Sequence, residues 1–153
     1  MKFIDLLEED SMLINYHFIS KKRLFEQVGQ LLGHTKSEGL TIYHSLLARE
    51  KLGNTSLGTG IAIPHGKCLE PGDIRVCLIK LSQPADYDAV DNQPVSIVIG
   101  LVFPEVTKPE HQRLLKETAG LFRQHVLYEK LMHLEEKNQI MEVILEAFEA
   151  CNS

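Results

Sequence analysis

The sequence predicts a layered α/β domain, with a sheet between helices. Two apolar runs, residues 74–81 and 95–103, are continuous rather than alternating, as in strands that are buried on both faces. Two amphipathic helical patterns precede this strand-rich middle and three follow it. The length of 153 residues suits one buried core, so we expect a single domain over residues 1–153.

The first two helices have recognisable starts and ends. Ser20 is expected to cap the first, which Gly33 ends, and Ser37 is expected to begin the second, which ends near Lys51 and Gly53. Their predicted apolar stripes are Leu24, Phe25, Val28, Leu31 and Leu32 in the first helix, and Leu40, Tyr43, Leu46 and Leu47 in the second.

A loop rich in glycine and hydroxyl groups follows the second helix, at residues 53–60 (GNTSLGTG). It leads into the short β-branched segment 61–63. Pro64 must end that strand because proline has no N–H to donate to a ladder. Between the two long apolar runs, residues 91–94 (DNQP) predict a turn.

The last third of the chain is predicted to be helical. Thr107 and Glu110 have the spacing of a capping box, so we expect Thr107 to cap a helix with Glu110 reaching back to it. Two further amphipathic segments lie near residues 126–134 and 138–150. The inner stripe of the first of these three helices is expected to comprise Leu114, Leu115, Thr118 and Phe122.

The composition is that of a soluble globular protein, and the features below lead us to expect it in the cytoplasm. The net charge of −5 argues against nucleic-acid binding, which needs clustered Lys and Arg. The start of the chain lacks the apolar stretch of a secretory signal, and the run 95–103 is too short to insert in a membrane. Cys68, Cys77 and Cys151 form an odd set without CxxC spacing and are expected to be reduced thiols.

His65 is the strongest candidate for chemistry among the seven histidines. Pro64 fixes the backbone before it and Gly66 follows, so its imidazole is expected at a strand end beside unhindered backbone. A turn histidine bound to a carbonyl is an equally good interpretation of this pattern alone. For His17, His34, His44, His125 and His133 a structural role is favoured.

His111 and Arg49 could complete a phosphate site. His111 falls in the first turn of the predicted helix after Thr107, where free N–H groups favour an anion, although a core-edge histidine bound to the backbone explains it as well. Arg49 ends the second helix just before the glycine loop, and its planar guanidinium suits phosphate oxygens. An ion pair with Glu50 or Glu38 is the alternative for Arg49.

Other chemistries have weaker support. The loop 53–60 lacks the patterns GxGxxG and GxxxxGK[ST], and no GxSxG elbow is present. His65 and Cys68 could be two metal ligands, but no second close pair accompanies them. A small metal-dependent enzyme using His65, Cys68 and His111 remains a third possibility.

A family resemblance rests on three stretches of sequence: AREKLG, GTGIAIPHGK and YDAVDNQPVSIVIGLVFP. Over roughly residues 20–144 the chain resembles the enzyme IIA domain of the bacterial phosphotransferase system, mannitol/fructose type. It is most similar to the nitrogen-regulatory branch (the PtsN or IIA-Ntr proteins). The resemblance implies a single type-2 IIA domain with a mixed β-sheet of about five strands and helices on both faces.

The resemblance also implies the reaction. His65 matches the phosphorylated histidine, which accepts a phosphoryl group from an HPr-like phosphocarrier, and His111 and Arg49 match the other active-site residues. No cofactor or metal is implied, because the phosphoryl group arrives already activated on a nitrogen. We expect the second nitrogen of His65 to donate to a backbone carbonyl. Thr59 departs from the resemblance, because relatives often carry Asn or an acidic residue at this position.

Two functions follow from this resemblance. The first is a regulatory phosphocarrier that binds target proteins according to its phosphorylation state, which the stretch DAVDNQPV favours. The second is a sugar-specific IIA component, of fructose or mannitol type, that passes the phosphoryl group to a IIB protein for sugar uptake.

Overall fold

The computed structural model describes residues 2–68 and 72–151; Met1 and the segments 69–71 and 152–153 of the predicted domain lie outside it. Five strands form one sheet: β1 (Met12–Tyr16), β2 (Ile61–Ala62), β3 (His65–Cys68), β4 (Arg75–Ala85) and β5 (Val95–Pro104). Six α-helices surround it: α1 (Phe3–Leu6), α2 (Lys21–Leu32), α3 (Lys36–Leu52), α4 (Pro109–Phe122), α5 (His125–Met132) and α6 (Lys137–Cys151), with a 3₁₀ turn at Glu9–Ser11.

The sheet is mixed, as predicted. β4 pairs antiparallel with β5 and parallel with the edge strand β1. On its other side β5 pairs parallel with β2 and, in the same register, with β3, so that Ala62 lies beside Val98 and His65 beside Leu101. β5 is therefore the rigid neighbour against which the segment around His65 is held.

Both faces of the sheet are covered, which explains the continuous apolar runs. Alternate residues of β5 divide between two clusters: Ile97 and Ile99 pack with the helices α1, α4, α5 and α6, whereas Val98 and Val102 pack with α2 and α3. A strand with a helical layer on each side has no polar face. The predicted fold class, α/β with helices on both faces, is confirmed.

The first helices agree with the prediction in part. Ser20 caps α2, since its hydroxyl accepts a hydrogen bond from the N–H of Arg23 at 3.1 Å. The second helix begins earlier than predicted, because Thr35 rather than Ser37 is its cap and accepts from the N–H of Glu38 at 3.1 Å. Both helices end where predicted, at Gly33 and Gly53.

The predicted inner face of α3 is wrong in one respect. Leu40 is 57% exposed, and the buried residues of the helix are Gly39, Ile42 and Leu46. Gly29 on α2 and Gly39 bring the two helices into close contact: a Cβ on Gly29 would lie 2.4 Å from the carbonyl oxygen of Gly39. This close approach turns the Gly39 side of α3, rather than the Leu40 side, toward its neighbour.

The start of α4 also differs from the prediction. Its N-cap is Lys108 with Pro109 at the first helical position, so Thr107 lies outside the helix and Glu110 does not reach back to it. Proline disfavours helical backbone at the residue before it, and Lys108 is accordingly extended, with φ −122° and ψ 154°.

Among the described residues, no helix is long and apolar enough to cross a membrane.

Candidate functional site

His65 is the first residue of β3, immediately after Pro64, rather than the end of the strand before it. Its Nδ1 lies 2.9 Å from the carbonyl oxygen of Ile63, which is the kind of partner expected from the sequence. A carbonyl only accepts, so Nδ1 carries the hydrogen and the lone pair of the neutral ring is on Nε2. Nε2 is therefore the nitrogen available as a nucleophile.

The surroundings of His65 keep its ring neutral. Burial lowers the pKa of His65 below its ordinary value, and the nearby Arg49 guanidinium acts in the same direction. The Ile63 carbonyl and the Glu50 carboxylate oppose this shift, but the net pKa remains lowered. A lowered pKa leaves the imidazole unprotonated at neutral pH, which is the state a nucleophile requires.

His111 is the third residue of α4 and only 6% exposed. Its Nδ1 accepts a hydrogen bond from the backbone N–H of Lys108 at 3.2 Å, so the side chain completes the cap that Glu110 was expected to provide. Because Nδ1 accepts, the hydrogen of the neutral ring is on Nε2. The ring also contacts the ring of Phe103 on β5, with 5.5 Å between centroids.

Arg49 lies in the last turn of α3 and donates from Nη1 to the carbonyl oxygen of Gly53 at 2.9 Å. The two carboxylates that were its alternative partners are paired elsewhere: Glu50 with Lys21 at 2.9 Å and Glu38 with Arg75 at 3.0 Å. Among the described residues no ion pair of Arg49 is found. Its charge is therefore available to an anion.

The structure brings all three candidates to one open cavity of about 530 Å³. Arg49 comes from α3, His65 from β3 and His111 from the start of α4. Near the same cavity, Lys67 Nζ donates to Thr107 Oγ1 at 3.1 Å. The cavity is lined by Ser45, Ala48, Arg49, Leu52, His65, Gly66, Lys67, Phe103, Thr107, His111, Gln112 and Leu115.

Ser45 is a part of this site that the sequence did not indicate. Its hydroxyl accepts a hydrogen bond from the backbone N–H of Lys67 at 2.7 Å and joins α3 to β3. A Cβ on Gly66 would lie 2.8 Å from that hydroxyl oxygen, so the strand can approach the helix only with glycine there. A lone serine in a helical stripe carries no signal in the sequence that distinguishes it.

The glycine loop folds back on the strand that follows it. Thr55 accepts from the N–H of Ile63 at 2.9 Å, and Leu57 donates to the carbonyl of Ile61 at 2.8 Å. Thr59 lies at the tip between two glycines with positive φ, and its buried hydroxyl has no hydrogen-bond partner among the described residues. Thr59 is not among the residues that line the cavity.

Cys68 cannot join His65 in a metal site. The two residues lie three apart in β3 and so point to opposite faces of the strand, and Cys68 is buried in the cluster formed with α2 and α3. Within residues 2–68 and 72–151, no group of three or more His, Cys, Asp or Glu side chains is arranged to hold a metal ion.

The described part of the chain is a small α/β domain with a mixed five-stranded sheet, and it brings two histidines and an arginine to the same cavity. The family model described as the phosphoenolpyruvate-dependent sugar phosphotransferase system, EIIA 2, matches residues 5–147. The chain belongs to this family. The protein is thus a member of the phosphotransferase-system IIA group.

Comparison with individual proteins favours one branch of this family. A Pseudomonas aeruginosa protein named nitrogen regulatory protein is 38% identical over 121 residues, covering 76% of this chain and 77% of that protein. The crystal structure of nitrogen regulatory protein IIA-Ntr from Neisseria meningitidis matches with a TM-score of 0.83 at 32% identity, covering 92% of this chain and 97% of that one.

A sugar-specific relative is more distant. The crystal structure of IIA mannitol from Escherichia coli matches with a TM-score of 0.69 at 18% identity, over 90% of this chain and 97% of that one. At this identity the likeness establishes the shared fold and nothing more.

Proposed function

We propose that this protein is a nitrogen-regulatory IIA phosphocarrier, which accepts a phosphoryl group on Nε2 of His65 from the phosphohistidine of an HPr-like carrier. The observation that carries the proposal is the pairing of two opposite tautomers in one cavity. His65 keeps a lone pair on Nε2 and His111 keeps a hydrogen on Nε2, because each ring uses Nδ1 to bind the backbone.

The proposed transfer requires no cofactor. A bond forms between phosphorus and Nε2 of His65 while the bond to the donor nitrogen breaks, and that nitrogen keeps the electron pair. The His65 ring, which is the attacking group, becomes cationic as its Nε2 bonds to phosphorus, and the carbonyl of Ile63 stabilises the hydrogen on Nδ1 in that state. Protein catalysis of such a step consists mainly of position and charge stabilisation.

His111 and Arg49 have separate roles in this scheme. The Nε2–H of His111 donates to a phosphoryl oxygen, and the guanidinium of Arg49, which has no ion pair among the described residues, offsets the negative charge. Both lie on rigid elements, the first turn of α4 and the last turn of α3, so little ordering is needed during transfer.

Regulation of target proteins is favoured over sugar uptake. The relatives at 38% and 32% identity are named as nitrogen regulatory proteins, whereas the mannitol protein is 18% identical. Phosphorylation adds about two negative charges at an exposed cavity, which is enough to create or repel a protein contact. In the sugar-specific alternative, a IIB protein would remove the phosphoryl group.

The test is phosphorylation by phosphoenolpyruvate, the general first enzyme and an HPr-like carrier. We expect one acid-labile phosphate per chain, none on His65→Ala, and wild-type labelling of the control His44→Ala, whose side chain is an exposed imidazole on α3. NMR of ¹⁵N-histidine protein should find phosphorus on Nε2. Undiminished labelling of His65→Ala would overturn the assignment, and fast dephosphorylation by a IIB protein would favour the sugar-specific function.

A further inference from the structure

Glu50, the neighbour of Arg49 in α3, has a carboxylate that is only 8% exposed and fully engaged. Oε1 accepts from the hydroxyl of Thr55 at 2.6 Å, and Oε2 accepts from the Thr55 backbone N–H at 3.1 Å. Lys21 on α2 forms an ion pair with Oε2 at 2.9 Å. A buried carboxylate destabilises a fold unless it is satisfied in this way, so these bonds hold its position firmly.

Tyr87 completes this cluster from the connection between β4 and β5. Its buried hydroxyl lies 2.9 Å from Thr55 Oγ1 and donates to Glu50 Oε1 at 3.4 Å. The ammonium group of Lys21 lies over the ring of Tyr87, 4.1 Å from its centroid. Thr55, at the start of the glycine loop, is therefore held by side chains from α3 and from the connection between β4 and β5.

Thr55 connects this cluster to the reactive histidine. Its carbonyl oxygen accepts the N–H of Ile63 at 2.9 Å, and the carbonyl of Ile63 accepts the Nδ1–H of His65 at 2.9 Å. A continuous path of hydrogen bonds thus runs from the Glu50 carboxylate to the His65 ring. The path uses the side chain and main chain of Thr55 and the main chain of Ile63.

We propose that Glu50 is a positioning residue for phosphoryl transfer: through Thr55 and Ile63 it holds the carbonyl that keeps the hydrogen of His65 on Nδ1 and its lone pair on Nε2. The inference rests on the proposed function of His65 but concerns a residue outside the cavity. Glu50 touches neither the phosphoryl group nor the reacting nitrogen.

Glu50 also acts on His65 through its charge. The carboxylate raises the pKa of His65, in opposition to burial and to the Arg49 guanidinium. The other titratable or cationic side chains that line the cavity are Lys67 on β3 and His111 on α4. Neutralising Glu50 therefore lowers the pKa of His65 further, even where the hydrogen bond to the Ile63 carbonyl, which acts in the same direction as the carboxylate, is kept.

Four variants separate the two effects. Glu50→Gln removes the charge and keeps the side-chain shape, whereas Thr55→Val removes the hydroxyl and keeps the charge. Thr55→Ser retains the hydroxyl and should restore what the valine variant loses. Glu38→Gln is the matched control, since Glu38 is a carboxylate of the same helix whose partner is Arg75, away from the cavity.

Two measurements are made on each folded variant. The first is the ¹⁵N NMR titration of His65, which reports its tautomer and pKa and requires no phosphorylation. The second is the transfer rate from the phosphorylated carrier as a function of carrier concentration. We expect Glu50→Gln to lower the pKa of His65. Both Glu50→Gln and Thr55→Val should slow transfer at saturating carrier by about tenfold, because small displacements of reacting groups are costly. The carrier concentration that gives half the maximal rate should not change.

Thr55→Ser and Glu38→Gln should behave like the wild type in both measurements. Wild-type tautomer and transfer rate in Glu50→Gln would overturn the proposal, as would equal loss in the serine and valine variants. If the wild type is not phosphorylated at all, the proposed function fails, but the NMR titration still decides whether Glu50 governs the state of the His65 ring.

Discussion

His65 and His111 bind the backbone through the same ring nitrogen in opposite senses. Nδ1 of His65 donates to the carbonyl of Ile63, and Nδ1 of His111 accepts from the N–H of Lys108. One Nε2 atom therefore has a lone pair and the other an N–H, and in the proposed transfer these are the nucleophile and a donor to a phosphoryl oxygen. The difference between the two rings arises entirely from main-chain geometry on either side of the cavity.

Substitution of His111 should reduce both the rate of transfer and the free energy of unfolding, and the two effects can be measured separately. His111→Ala loses the Nε2–H donor and the cap, so we expect transfer to slow by about 100-fold and the free energy of unfolding to fall by about 1 kcal/mol. In His111→Asn the amide oxygen can still accept from Lys108, so most of the stability should return.

The measurements are single-turnover transfer and urea unfolding of the His111 variants. His125→Ala is the control, because His125 is an exposed histidine at the start of another helix, α5. Wild-type transfer in His111→Ala would remove His111 from the site, whatever its effect on stability.

Substitution of Arg49 should be visible in the pKa of His65 as well as in the rate. Arg49→Gln removes a positive charge that lowers this pKa, so the pKa of His65 should rise. Transfer should slow by about ten- to 100-fold, since one charge-stabilising donor is lost. Arg49→Lys should retain part of the rate because it keeps the charge without the planar fork.

Histidine NMR and transfer kinetics measure both effects of Arg49. The exposed Arg23 on α2 supplies the control variant Arg23→Gln. A His65 pKa that does not rise in Arg49→Gln would mean that the guanidinium does not influence the ring.

Acidification should destabilise the protein through His65. Its folded pKa is lowered from the ordinary value of 6.5, so below that value the unfolded chain binds a proton that the folded chain refuses. The free energy of unfolding therefore falls as the pH decreases from about 6.5 toward the folded pKa. His65→Gln cannot titrate there and should lose less stability between pH 7 and pH 5 in urea unfolding; an identical loss would contradict this prediction.

Two glycines should respond in opposite directions to the same substitution. Gly60 has φ +86°, and a Cβ there would lie 2.7 Å from the ring of Tyr128, so Gly60→Ala should destabilise the protein by about 1–3 kcal/mol. Gly120 lies in α4 with open space around it, so Gly120→Ala should stabilise by about 0.5–1 kcal/mol. Denaturant midpoints at constant m measure both changes, and a neutral Gly60→Ala would show that the loop adapts.

The layered fold could be predicted from sequence because its signals are local, and the three candidate site residues, which stay a prediction, were found to line one cavity. Continuous apolar runs indicated β4 and β5, and the run of proline, histidine and glycine singled out His65. The strand β3 could not be predicted from propensity, because its sequence, His-Gly-Lys-Cys, contains no β-branched residue and is extended through its pairing with β5. The short edge strand β1 was not predicted either, and it is irregular, since Asn15 has a positive φ and the pairing with β4 shifts between Leu13 and Tyr16.

The errors at helix starts had specific physical causes. Several hydroxyl residues precede α3, and only the backbone decides that Thr35, rather than Ser37, accepts the capping bond. At α4 the spacing of Thr107 and Glu110 suggested a capping box, but Pro109 moves the helix start by one residue and gives the reciprocal bond to His111. His111 was the signal for this cap in the sequence, because a histidine ring nitrogen can also accept the capping hydrogen bond.

The acceptor that fixes the tautomer of His65 is a main-chain oxygen, that of Ile63. No single point substitution can delete it, whereas Arg49 and His111 can each be lost by one. A substitution can displace this acceptor through its neighbours, as proposed for Glu50, but it cannot remove it, so the proton arrangement of His65 depends on how the main chain is held.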